Sequence, residues 1–74
     1  MIRITENDLV DRLYSYTPHA RRMVDTARET GCDIERYLPD YNVLLRIVDN
    51  IATIIVYNTE EMDINADKIS YQII

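Results

Sequence analysis

The run VLLRIVDNIATIIVY, residues 43–57, has β-branched side chains at eight of its fifteen positions. Two heavy atoms on Cβ stiffen χ1, which penalises helix and suits a pleated strand. Read as a helix, the run gives an apolar stripe of Leu44, Ile47, Val48, Ile51, Ile54 and Ile55, but strands Val43, Leu45, Val56 and Tyr57 outside it. Read as a hairpin turning at Asp49-Asn50, it pairs 48/51, 47/52, 46/53, 45/54, 44/55 and 43/56. One face then carries Ile47/Ala52, Leu45/Ile54 and Val43/Val56, all apolar. The other brings together Arg46 and Thr53, the only polar side chains of the two strands. A helix has no reason to match them so. Asp-Asn serves a two-residue turn in which both positions take positive φ. The hairpin is the reading adopted here; the alternative is an all-α chain.

Around this hairpin the pattern predicts an α+β domain spanning residues 1–74. Thr5 is placed to cap a helix running to Tyr16, with Asp8 in the capping-box position and Leu9, Val10, Leu13 and Tyr14 on one face. Thr17-Pro18 predicts a second start, with Thr17 as cap and Pro18 in the first turn. Ala20, Met23, Val24 and Ala27 continue that helix, and Gly31 stands where a C-terminal cap belongs. Asp33 is expected to open a single helical turn that Pro39 stops, giving two to three N-terminal helices in all. Residues 68–74 alternate Ile69, Tyr71 and Ile73 with Ser70 and Gln72, so a third strand is expected there. Met1–Ile4 is long enough for a short fourth. The expected architecture is helices on one face of a small antiparallel sheet.

Charge limits the partners. Thirteen acids against eight bases leave a net charge of −5. Residues 1–32 balance five arginines with five acids, so the whole excess falls in residues 33–74. Neutralising phosphates supplies most affinity for nucleic acid, so direct nucleic-acid binding is disfavoured and a basic protein partner is favoured. Cys32 is the only cysteine, which removes any intramolecular disulfide and points to a reducing compartment, the cytoplasm. The first ten residues lack the apolar run of a signal peptide. Arg46, Asp49 and Asn50 interrupt the longest apolar stretch, so no membrane span is expected.

The chemistry-bearing residues are few. One His, one Cys and two Ser offer little for an acid–base pair or an activated nucleophile, and a single Gly cannot build a phosphate-cradling loop. No enzyme activity and no cofactor are expected. DINADK, residues 63–68, begins like a calcium loop, but Lys68 and Ile74 stand where that loop needs Gly and Glu. A lone Cys and a lone His cannot form a structural zinc site, so no metal is expected.

Two surfaces remain. The segment TEEMDINAD, residues 59–67, has four carboxylates and no base. Its expected role is docking to a basic surface through Glu60, Glu61, Asp63 and Asp67, with Met62 and Ile64 as apolar contacts. Tyr57 and Tyr71 are the strand tyrosines most suited to join it, because Tyr offers contact area and a hydroxyl together. The alternative is a helix-turn-helix-like transcriptional regulator reading DNA with residues 18–30 through His19, Arg21, Arg22 and Arg28. Asp25 and Glu29 lie among those arginines at helical spacing and weaken that reading. A third reading is a structural or assembly subunit that pairs with itself. The last strand is expected at a sheet edge, where Ile69, Tyr71, Ile73 and Ile74 would invite a homodimer.

In size, acidity and lack of a catalytic constellation the chain resembles phage-encoded inhibitors of host defence, such as anti-CRISPR proteins. That general character implies a protein that blocks a surface of a larger, nucleic-acid-handling partner in the host cytoplasm.

Overall fold

A computed structural model describes residues 1–57 and 67–74. Its elements are β1 (Ile2–Ile4), α1 (Glu6–Leu13), α2 (Ala20–Thr30), β2 (Ile34–Leu38), β3 (Val43–Val48), β4 (Ile51–Val56) and β5 (Asp67–Ile73). The strands form one sheet in the order β1-β5-β4-β3-β2. The expected α+β class holds, and the all-α alternative does not.

The hairpin has the register expected from side-chain matching, from Val43 opposite Val56 to Val48 opposite Ile51. Asp49 and Asn50 both adopt positive φ, 51° and 63°, as a turn matched to strand twist requires. Val43, Leu45, Ile47, Ala52 and Ile54 are buried on the face that meets the helices. From α1 come Leu9, Val10 and Leu13, and from α2 Ala20, Met23 and Val24, each burying one stripe against the sheet.

The helix ends follow local chemistry closely at two of four positions. The Thr5 hydroxyl accepts from the Asp8 N–H at 3.2 Å and caps α1. Gly31 ends α2 at φ 67°, where a Cβ would be strained. The other two differ from expectation. α1 stops at Leu13, and Tyr14–Tyr16 form a turn instead of its last residues. α2 starts at Ala20, because the Thr17 hydroxyl accepts from His19 N–H at 3.1 Å and closes a local turn through Pro18.

Two further expectations are corrected. The helical turn expected from Asp33 is the strand β2, paired antiparallel to β3 from Ile34 opposite Ile47 to Leu38 opposite Val43. Ile34 and Leu38 are four apart and so also fit one helical face. Five residues cannot repay helix nucleation, whereas β3 offers a ready ladder of backbone partners. The C-terminal strand is also not a free edge along Tyr71–Ile73. There β1 pairs with it in parallel, Ile2 opposite Tyr71 and Ile4 opposite Ile73, and Ile74 N–H donates to Ile4 O at 2.9 Å. The sheet is therefore mixed. The edges among the described residues are β1, β2 and the stretch of β5 that extends beyond β1.

Candidate functional site

Tyrosine and acid converge at one end of the sheet. The β2–β3 turn, residues 39–42, lies at the same end as Tyr57 and Asp67, which flank residues 58–66. α1 starts at the opposite end, where Ile73 N–H reaches Asn50 O at 2.8 Å, and runs toward this one. The turn that follows it, Tyr14–Tyr16, therefore lies here, and Tyr16 meets Tyr41 edge to face with ring centroids 5.8 Å apart. Tyr14, Tyr16, Tyr37, Tyr41 and Tyr57 thus share one end, five of the chain's six tyrosines. Tyr14 and Tyr41 are about half exposed, at 49% and 54%.

Asn42 holds this end together. It sits at φ 53° in the left-handed region, which Asn tolerates better than most residues. Tyr37 donates its hydroxyl to Asn42 Oδ1 at 2.7 Å, and Asn42 Nδ2 donates to Tyr57 O at 3.3 Å. The Tyr57 N–H donates to Asn42 O at 3.0 Å. One residue therefore joins the turn, an exposed ring and the end of the strand segment at Tyr57. Asn42→Ala is expected to cost about 1–3 kcal/mol, combining lost hydrogen bonds with left-handed strain. Asn42→Gly loses the same side-chain hydrogen bonds but avoids the left-handed strain, so urea melts of the two variants separate the terms, and equal losses would exclude a strain contribution.

Beside this end a recess of about 250 Å³ opens between the last turn of α1 and strands β4 and β5. Ile54, Val56 and Ile69 supply its apolar lining, with Arg12, Tyr16 and Asp67 also around it. A recess with apolar walls and a mixed polar lining suits one anchoring side chain of a partner.

The sequence-derived candidates fare differently. Glu60, Glu61, Met62, Asp63 and Ile64 lie outside the described residues, as does most of the calcium-like stretch. Asp67 is exposed at the start of β5, and Tyr57 is half-buried. Tyr71 is corrected as a partner contact: it is 4% exposed, with the Arg12 guanidinium 5.5 Å from its ring centroid. Of the proposed oligomer edge, Ile73 is buried beside β1, while Ile69 and Ile74 stay exposed.

The α2 arginines do not present one free face. Arg21 meets Glu6 and Asp25, each at 3.4 Å, and Asn7 Oδ1 at 2.9 Å. Arg28 meets Glu6 at 3.4 Å. Both bind α1, which leaves His19 and Arg22 on the side facing β2.

The sheet face away from the helices carries Leu44, Ile55 and Tyr37 in one row and Val48 beside Ile51 in another. Between them run Glu35, Arg46, Thr53 and Ser70, joined by Arg46–Glu35 at 3.5 Å and Thr53···Ser70 at 3.2 Å. Among the described residues no group of three or more His, Cys, Asp or Glu could hold a metal. No described helix is long and apolar enough to cross a membrane.

No family model, curated protein or solved structure matches the chain.

The sequence reading missed Tyr14, Tyr16, Tyr37, Tyr41 and Asn42 as members of this site. A partial signal existed in the turn PDYN, where Pro and Asn bracket a tyrosine. Nothing local could show that Tyr16 would meet it.

Proposed function

We propose that this chain is a non-enzymatic protein-binding module that docks on a basic surface of a larger partner through its tyrosine-rich end. The observation that carries the reading is the gathering of five tyrosines where the acidic segment 59–67 is attached. Tyr is enriched at interfaces because it buries a large ring at little rotamer cost while its hydroxyl finds a partner. Four carboxylates in the adjoining segment favour a basic surface and speed encounter with it. The specific form of this reading is an inhibitor of the phage anti-defence kind, anti-CRISPR proteins among them. Such a protein works by covering a surface that its target needs for nucleic acid, which calls for shape and charge and no chemistry of its own.

The test starts from the tagged full chain in lysate of the native host, with and without nuclease. Whatever protein is retained is then purified and its affinity measured. Reversing Glu60, Glu61, Asp63 and Asp67 to Lys is expected to weaken binding at least about a hundredfold at low salt, and Tyr41→Ala about tenfold or more. Undiminished affinity in both variants would overturn the reading. Retention that nuclease abolishes, and that needs Arg22, would transfer it to nucleic-acid binding.

A further inference from the structure

The outer edge of β2 and the flank of α2 enclose a groove of about 290 Å³ whose charge is opposite to that of the protein. Met23, Ile34 and Leu38 give it apolar walls, Arg22 and Arg36 give it cationic ones, and His19 is also around it. No carboxylate lines it. Among the described residues the side chains of Arg22, Arg36 and His19 make no hydrogen bond and no ion pair, whereas Arg21, Arg28 and Arg46 are each engaged by an acid. Glu35, the acid nearest in sequence to Arg36, points to the opposite face of β2 and pairs with Arg46.

The same strand ends the sheet order, so its outer backbone groups have no strand partner among the described residues. A free strand edge recognises extended backbone, and side chains that alternate along the added strand enter whatever lies beside it.

From these two features together we infer that β2 accepts an extended acidic peptide of another protein as a sixth strand, with an Asp or Glu side chain seated between Arg22 and Arg36. Guanidinium groups bind carboxylates through paired hydrogen bonds, which gives both affinity and register. The net charge of −5 does not prevent this, because exposed charges farther than about 8 Å away are largely screened at physiological salt.

A second copy of the chain fits the edge poorly. Symmetric antiparallel pairing of β2 with itself, with matching faces, sets Arg36 against Arg36 or Glu35 against Glu35, and like charges directly opposite are destabilising. Of the remaining registers, that centred on Ile34 sets Glu35 against Asp33, and those centred on Tyr37 and Leu38 bring Pro39 into the ladder, where it has no N–H to donate. Strand addition at β2 does not depend on the tyrosine-rich end; the two share Tyr37 alone, whose backbone lies in β2 while its side chain is on the sheet face away from the groove.

The test uses the full isotope-labelled chain and a short blocked peptide alternating valine and glutamate. Addition is expected to shift the amide resonances of residues 34–38 and of the first turns of α2. Arg22→Gln and Arg36→Gln are each expected to weaken binding about tenfold, as is glutamine in place of glutamate in the peptide. Backbone methylation of the alternate peptide nitrogens that face β2, one of the two possible sets, is expected to abolish binding. Both arginines are exposed, so thermal midpoints of the variants are expected to match the parent. Should Arg36→Gln unfold the chain, Arg36→Lys keeps the charge, loses the planar fork, and is expected to weaken binding severalfold.

Binding that survives methylation of each set in turn, or leaves residues 34–38 unshifted, overturns strand addition. Tighter binding of an oligothymidylate of equal charge than of the peptide also overturns it, in favour of phosphate recognition.

Discussion

Leu45→Ala is expected to remove about 2–5 kcal/mol of stability, the range for deleting a buried leucine side chain. Leu45 is 1% exposed, lies on β3 between Arg36 of β2 and Ile54 of β4, and faces the helices. A domain of 74 residues has roughly 4–11 kcal/mol to lose, at about 0.05–0.15 kcal/mol per residue. The variant is therefore expected to be near its unfolding midpoint without denaturant, or at least to show a much lower urea midpoint with an unchanged slope. Leu44→Ala supplies the contrast. Its side chain is on the uncovered face and only half-buried, so its loss is expected to stay below about 1 kcal/mol. Equal losses at the two positions would mean that the outer face is also covered in solution, and would refute the one-sided packing.

Ile4→Asp is the second large effect. Ile4 is 6% exposed, pairs with Ile73 and accepts the backbone hydrogen bond of Ile74. A carboxylate there would have to be buried without a partner, so release of β1 is the cheaper outcome. The expected loss is about 3–5 kcal/mol. Release of β1 also bares the backbone of Tyr71–Ile73, an apolar strand that can then pair with a second chain. Urea melts and light scattering read the two consequences separately. A variant that loses stability yet stays monomeric at high concentration would show that β1 contributes packing alone and does not guard the edge.

The corrected edge bears on self-association. The pattern Ile69, Tyr71, Ile73 reads from sequence as an unprotected apolar edge, and Tyr71 and Ile73 are instead in the core. Their partner β1 arrives from the other end of the chain, after a connection that includes both helices. Parallel pairing of this kind leaves no mark near either strand, because its two halves are far apart in sequence. The apolar surface left by the correction is smaller: Met1, Ile2 and Ile74 around β1, and Ile69 beside the recess.

The candidate sites divide along similar lines. The acidic segment is legible as a run of letters. The tyrosine-rich end is not, since Tyr16 and Tyr41 come from separate elements and meet only when α1 and the sheet pack. Arg36 gives no signal in IERYL beyond being one charge among several. It gains a role once β2 is an edge and α2 lies beside it with Arg22 unpaired.

What the sequence by itself determined about this protein is local. Matching of Arg46 to Thr53 across a two-residue turn, β-branching through residues 43–57, the Thr5 cap and the Gly31 stop each depend on neighbours within a few residues or directly across one turn. Only the tertiary structure decided the rest. Whether IERYL would be a turn of helix or a strand depended on the free edge of β3, and the status of the last strand depended on β1. A short segment's own preferences differ by less than the backbone pairing and burial that a neighbour offers, so the neighbour determines the outcome.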